Sequence, residues 1–272
     1  MKLDFYKYEG TGNDFVIIDN RELTFQKNDK TLIQSICDRK KGVGADGLIL
    51  LENHDELDFS MIYFNADGSE SGFCGNGSRC ITHLANNLNI INDKAKFNAI
   101  DGTHESKIIN GNISVKMNDV LKSNINRFND SYNTTFIDTG SPHLIRKYEN
   151  IDKIDVVKEA RELKKKYSEY KHCLNINFCE ISDSEFKLRT YERGVEDETL
   201  SCGTGAVASA IFLKDLALVD NIKIDILMKG GLLTVDFIIK ETTYSEIWLT
   251  GSVNMVFKGV YNNFDWWFTW EI

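Results

Sequence analysis

The chain has 272 residues, 42% hydrophobic and 27% charged, a composition that excludes bulk disorder and suffices for a buried core in each of two medium-sized lobes. The net charge is −9, and the densest basic run, Lys164-Lys165-Lys166, lies beside Glu159 and Glu162 as a solvated helical face, so nucleic acid is not an expected partner. No apolar stretch approaches the roughly 20 residues of a membrane helix, and the N-terminus is charged where a signal peptide needs its apolar core, so a cytoplasmic protein without membrane contact is expected.

In chain order, strands are predicted at 15–18, 48–51, 59–64, 113–117, 136–138, 175–181, 186–191, 222–227, 233–239 and 246–249. Helical periodicity covers 30–39, 77–87, 153–167 and 203–216. Pro142 is the only proline and no low-complexity linker interrupts the chain. A boundary must come from pattern, and the polar stretch 118–133 near the midpoint suits it, giving lobes at 1–120 and 125–257.

The chain repeats itself at an offset of 128 residues: Thr11-Gly12 matches Thr139-Gly140, Tyr63 matches Tyr191, and Cys74-Gly75-x-Gly77 matches Cys202-Gly203-x-Gly205. Each cysteine motif follows a strand and a polar loop and precedes a helix, which points to internal duplication. A cysteine at a helix N-terminus faces unpaired N–H groups and the positive end of the helix dipole, which favour thiolate. The exposed amides of Gly75, Asn76, Gly203 and Thr204 are then suited to a small carboxylate or phosphate. Two such thiols flanking one ligand in an interlobe cleft fit a racemase, which removes a proton from one face of a carbon and returns one to the other. The carbanion spreads into the adjoining carboxylate, where paired helix N-termini stabilise it without a metal or an imine cofactor. A redox pair joining Cys74 to Cys202 is the competing use of the same two residues.

Cys37, Cys80, Cys173 and Cys179 lack the glycine loop or the helix-end position and read as structural, and no Cys-x-x-Cys pair suggests zinc. Gly42-Val43-Gly44-Ala45-Asp46-Gly47 matches a dinucleotide fingerprint, but here a helix precedes the loop and a strand follows it, the reverse of the Rossmann order. His54, His83, His104 and His172 have no partner at metal or triad spacing, whereas His143 follows Gly140-Ser141-Pro142 in a loop.

Together, Gly12-Asn13-Asp14-Phe15, Gly42 to Gly47, Phe64-Asn65-Ala66-Asp67-Gly68-Ser69, Cys74-Gly75-Asn76-Gly77-Ser78-Arg79-Cys80, Gly140-Ser141-Pro142-His143, Tyr191-Glu192-Arg193-Gly194 and Glu198-Thr199-Leu200-Ser201-Cys202-Gly203-Thr204-Gly205 resemble the diaminopimelate epimerase family over nearly the whole chain. The resemblance implies a mixed α/β (α+β) fold of two pseudo-symmetric lobes. Each would be a curved, mostly antiparallel sheet wrapped around a central helix, with the active site in the interlobe cleft and the segment 258–272 packing back on the first lobe. It implies cofactor-independent epimerisation of LL-2,6-diaminopimelate to meso-diaminopimelate, for lysine and peptidoglycan synthesis, with no metal and with a homodimer as a possible assembly. Position by position, Cys74 and Cys202 become the two bases, and Glu192 and His143 support the thiols. Gly75, Asn76, Gly203 and Thr204 would hold the reacting carboxylate, and Asn13, Asn65, Asn175, Glu192 and Arg193 the distal end. Three departures stand out: Ser141 where the family commonly has Asn, the lengthened and acidic Val195-Glu196-Asp197-Glu198, and a tail from Asn262 with Trp266, Trp267 and Trp270. An apolar tail of that kind is expected to be buried against a lobe or a partner. A racemase of the same fold acting on another amino acid would share the inner machinery and differ only in the distal contacts.

Overall fold

The structure, a computed structural model, describes residues 2–167, 169, 174–182 and 185–262. Cys173, His172 and the tryptophan-bearing tail lie outside the described residues.

The first half contains β1 (Lys2–Gly10), β2 (Asn13–Asp19), α1 (Lys30–Cys37), β3 (Gly47–Glu52), β4 (Phe59–Asn65), α2 (Gly75–Asn87), β5 (Lys94–Ala99), β6 (Gly102–Ile109) and β7 (Asn112–Lys116). Two short strands, β8 (Val120–Leu121) and β9 (Ile125–Arg127), lead into β10 (Thr135–Asp138), β11 (Pro142–Tyr148), α3 (Val156–Lys166), β12 (Asn175–Ile181), β13 (Phe186–Glu192) and β14 (Asp197–Thr199). Then come α4 (Gly203–Asp215), β15 (Lys223–Met228), β16 (Gly231–Ile239), β17 (Thr243–Gly251) and β18 (Asn254–Asn262).

The pairing order is duplicated. β1 to β7 pair in sequence, parallel between β2 and β3 and between β4 and β5, and antiparallel elsewhere. β10, β11, β12, β13, β15, β16 and β17 repeat that order, with β11–β12 and β13–β15 parallel. The register repeats as well: Phe15 pairs with Gly47 in the first lobe, and His143 pairs with Asn175, each 128 residues on, in the second.

α4 reads Gly-Thr-Gly-Ala-Val-Ala-Ser-Ala-Ile-Phe-Leu-Lys-Asp, apolar on every side beyond its first turn, so it is stable only if enclosed. It runs through the second core with Ile211, Phe212 and Leu213 fully buried among Ile224, Leu233 and Leu249. α2 occupies the matching place, packing Ile81, Leu84 and Ala85 against Tyr8, Phe15 and Ile49. α1 and α3 cover other sheet faces, in separate clusters around Ile33 and Ile36 and around Ala160 and Leu163. Their starts are capped by Asp29 and Asp155, and α3 ends in the three lysines that complement its dipole.

The lobes share strands. β17 pairs with β7 and β8 as well as β16, and β18 returns to pair with β1 from Lys2↔Asn262 to Glu9↔Asn254. The polar stretch expected at the boundary is therefore partly strand, because β8 bonds to Tyr244 and Thr243. The strands β1, β5, β6, β8, β9, β11, β14 and β18 were not expected from the sequence. In β1 the inward Leu3 and Phe5 alternate with exposed Lys2 and Asp4 over only the first few residues, and in β11 the strand opens on Pro142, a position that needs no amide donor.

Candidate active site

Both central helices begin directly after an extended cysteine: Cys74 has φ −120° and ψ 110°, and Cys202 has φ −133° and ψ 107°. An extended N-cap turns the chain so that the first-turn amides face outward. The Cys74 sulfur accepts from the Gly77 N–H at 3.4 Å, while the Cys202 sulfur lies 3.6 Å from Thr204 Oγ1. The glycines are required by close approach. A Cβ at Gly205 would sit 2.7 Å from Asn177 Oδ1 and 3.3 Å from the Cys202 sulfur, and one at Gly203 would sit 2.7 Å from Leu249 Cδ2. A Cβ on Gly75 would meet the same Leu249 methyl at 3.3 Å, so this one side chain of β17 separates the two helix starts.

The helix ends open on one cleft of about 1150 Å³ lined from both lobes. Of the residues singled out in the sequence, Cys74, Cys202, Asn13, Asn65, Gly75, Asn76, Glu192, Arg193, Gly203 and Thr204 line it. His143 and Asn175 do not; both are buried behind its wall. Asn175 donates through Nδ2 to Ser141 Oγ at 2.9 Å and accepts from the Arg193 amide at 2.9 Å, so it reaches the cleft only through those two neighbours. Asn13 is held by Asp46 Oδ2 at 2.6 Å and accepts on Oδ1 from Asn76 Nδ2 at 3.2 Å. Asn65, at the end of β4, contacts Ser69 Oγ at 3.4 Å, and the Arg193 side chain is exposed.

His143 is fully buried. Its Nδ1 faces Asn177 Nδ2 at 2.9 Å and its Nε2 faces Thr204 Oγ1 at 2.9 Å. The Asn177 amide has one consistent orientation, since its Oδ1 accepts from Thr190 Oγ1 at 2.9 Å and its Nδ2 also reaches the Leu144 carbonyl. Nδ1 is therefore the acceptor and Nε2–H donates to Thr204, which leaves the Thr204 hydroxyl proton free for the Cys202 sulfur. Burial, reinforced by the Arg193 charge, holds the imidazole pKa down at about 3, so His143 is neutral.

The cysteines correct one expectation. Burial pushes Cys74 up to about 11 and Cys202 up to about 12, and the neighbouring Glu192 charge raises both further. The amides of Gly77 and Gly205 do pull the thiols down, as helix N-termini should, but desolvation wins and both rest as thiols. Glu192 itself is raised by burial, against the Thr199 hydroxyl and the Arg193 charge.

An ionic network in the first lobe was not legible in the sequence. Asp14 binds Arg39 through Oδ1 at 2.7 Å and Lys7 at 2.5 Å, and Arg39 also reaches Asp46 at 2.7 Å. Asp46 lay inside the glycine motif set aside as a false dinucleotide site, and its work is to fix the Asn13 amide. Two of the three acids in the 195–198 segment are ion-paired: Glu198 takes both prongs of Arg189 at 2.6 and 2.7 Å plus Lys229 at 2.7 Å, and Glu196 pairs with Lys164 at 2.9 Å, while Asp197 accepts from the Glu198 amide. Among the described residues no group of three acidic, histidine or cysteine side chains is placed to hold a metal ion, and no helix is long and apolar enough to cross a membrane.

Two duplicated lobes closing on one cleft define a fold shared with solved structures. A PhzF-family phenazine biosynthesis protein from Bacillus anthracis superposes with a TM-score of 0.75 at 14% identity, covering 97% of this chain and 100% of that one. A hydroxyproline epimerase from Agrobacterium vitis superposes with a TM-score of 0.67 at 12% identity, covering 95% and 92%. Sequence narrows the class. A family model described as diaminopimelate epimerase matches residues 5–122 and 135–256, and a diaminopimelate epimerase from Flavobacterium psychrophilum is 47% identical over 262 residues, 95% of this chain and 99% of the relative. The chain belongs to the diaminopimelate epimerase family of isomerases.

Proposed function

We propose that the protein interconverts LL- and meso-2,6-diaminopimelate by proton transfer between Cys74 and Cys202, without pyridoxal phosphate or metal, in the cytoplasm and in the service of lysine and peptidoglycan synthesis. The observation that carries the reading is the pair of cysteines capping symmetry-related helices on one cleft. The reacting carboxylate lies across the amides of Gly75, Asn76, Gly203 and Thr204, where the carbanion's charge is met by both helix dipoles. Both sulfurs rest as thiols, so one gives its proton to solvent before the cleft closes and enters the cycle as thiolate, while the other enters as thiol. The raised pKa of each makes its thiolate a stronger base toward carbon once water is expelled. Glu192 and the neutral His143 support the sulfurs, His143 through Thr204.

The distal end falls to Asn13, Asn65, Glu192 and Arg193, with Asn175 behind them. Residues 1–120 with the returning C-terminal segment form one lobe and 125–257 the other, and a homodimer is the proposed assembly. Because the Arg193 side chain is exposed, its pair with the distal carboxylate gains strength only when substrate closes off solvent. Arg193→Met is expected to lower kcat/KM about 30-fold, the lower end of the range for a desolvated charge pair. Wild-type protein incubated with LL-diaminopimelate in heavy water under reducing conditions should form meso product carrying deuterium at Cα. Absence of both exchange and inversion removes this function, and equal turnover of histidine removes the substrate assignment.

A further inference from the structure

Arg79, on the second turn of α2, is the largest fully buried side chain among the described residues, yet it forms no ion pair there. Its Nη2 donates to Thr11 Oγ1 at 2.5 Å and to Asn76 Oδ1 at 3.0 Å, Nη1 reaches the Gly75 carbonyl at 3.5 Å, and Nε has no partner. Space for it is made by glycine: a Cβ on Gly251 would lie 3.1 Å from Nε, and one on Gly10 would lie 3.5 Å from Nη2. A buried cation without a carboxylate costs stability, so a fold that keeps one needs its charge or its fork of donors.

Both have a destination. By holding Asn76 through Oδ1, the guanidinium turns the Asn76 Nδ2 toward Asn13 Oδ1, and Asn13 stands beside the Cys74 sulfur at 3.9 Å. The ionisable groups around Arg79 are Cys74 and Cys80 on the flanks of its own helix and Glu9 on β1, and Glu9 Oε2 is occupied by the Gly12 amide at 2.9 Å. Cys74 in turn faces Glu192 from β13, Tyr63 from β4 and Cys202 across the cleft. The first turn of α2 thus carries a second source of positive potential that α4 lacks, since the matching position there is Val207.

We propose that Arg79 is a positioning residue for the reaction: buried and unpaired at the base of the Cys74 helix, it locks the Asn76 amide and supplies positive charge toward the Cys74 thiolate and the substrate carboxylate. The inference rests on the epimerase reading for its substrate, but not for its effect on Cys74.

The test is Arg79→Met beside Arg79→Lys, read by iodoacetamide labelling of each cysteine against pH with peptide mapping, and by kcat and KM for LL-diaminopimelate. In Arg79→Met the labelling midpoint of Cys74 should rise by about one pH unit, so that labelling below the midpoint slows about tenfold while Cys202 keeps its midpoint. Arg79→Lys should restore the Cys74 midpoint through its charge without restoring full kcat, because a lysine cannot hold both Thr11 and Asn76. Turnover of Arg79→Met should fall about 10- to 100-fold, chiefly in kcat, with no fall in Tm. Equal shifts at both cysteines, no shift at Cys74, or a lower Tm accompanying the lost activity would assign Arg79 to the fold alone. If Arg79→Met does not fold, the proposal fails on stability. Should wild type neither exchange nor invert diaminopimelate, the epimerase reading fails, while the Cys74-specific shift still stands or falls by itself.

Discussion

Behind Cys202 runs a neutral relay that is fully buried up to Thr204 at the cleft wall; around Cys74 the relay is ionic and reaches the surface. The second lobe runs Thr190 to Asn177 to His143 to Thr204 to sulfur, each contact at 2.9 Å until the last at 3.6 Å. The first lobe runs from Lys7 and Arg39 through Asp14 and Asp46 to Asn13, with Arg79 beneath Asn76. At the 128-residue offset three of these supports are apolar in the other lobe: His143 answers to Phe15, Asn177 to Ile49 and Arg79 to Val207, and all three of those apolar residues are fully buried. Duplication kept the backbone and the capping cysteine, while the polar support diverged. The two thiols are therefore chemically inequivalent, although the helices that carry them superimpose in register.

The largest effect falls where the lobes still agree. Cys74→Ser and Cys202→Ser should each lower overall inversion by about 10³-fold or more, since general acid–base catalysis contributes up to roughly 10⁴ and a hydroxyl is a far weaker acid than a thiol. Both variants should keep the wild-type circular dichroism spectrum. Near wild-type turnover in either one would mean that a single lobe does the chemistry.

The next effect separates the lobes. Asn177→Asp presents an acceptor to His143 Nδ1, which must then carry the proton, so Nε2 turns acceptor and takes the Thr204 hydroxyl proton away from Cys202. Loss of a supporting bond of this kind costs about 10- to 100-fold, and it should appear in kcat. The pH profile of Cys74 labelling should not move. A shift at Cys74 as large as that at Cys202 would show that the two support networks are one.

What the sequence made legible follows the same division. The offset of 128, the two cysteine caps and the central helices are visible because duplication repeats them, and α2 and α4 are each 13 residues long. The pairing of β1 with β18 was hidden because it joins the two ends of the chain, and no local pattern encodes that pairing. Asn177 was also passed over, though Asn175 and Asn177 alternate inside an apolar strand and must share a face, a signal for a polar function behind the site. Arg79 stood in plain view within the cysteine motif. Its burial depends on Gly10 and Gly251, whose closeness only the three-dimensional fold creates.

The smallest effect is one of stability in acid, and it should begin in the second lobe. A histidine held neutral in the fold, with its pKa lowered from 6.5 to about 3, binds a proton only on unfolding across that interval. The unfolded state then binds more protons than the native one, so stability falls as pH drops below 6.5, at up to about 1.4 kcal/mol per pH unit, and His143 contributes no slope above it. Asp14 acts lower down: burial raises its pKa, but the Arg39 and Lys7 contacts outweigh this and leave it at about 2, so its stabilisation is lost only between 3.8 and about 2. Glu192, raised by burial, opposes the histidine near and above its ordinary value of 4.5, because there the native state holds the extra proton. The histidine term is isolated by difference. His143→Gln keeps polar atoms for Asn177 and Thr204 and removes the titration, so its Tm between pH 6.5 and 4.5 should fall less steeply than that of wild type, by about 3 °C per pH unit. Hydrogen exchange over the same range should loosen β11 and β12 before β2 and β3. Parallel Tm curves for the two proteins would mean that His143 takes up its proton without unfolding, and the neutral relay to Cys202 would then have to be abandoned.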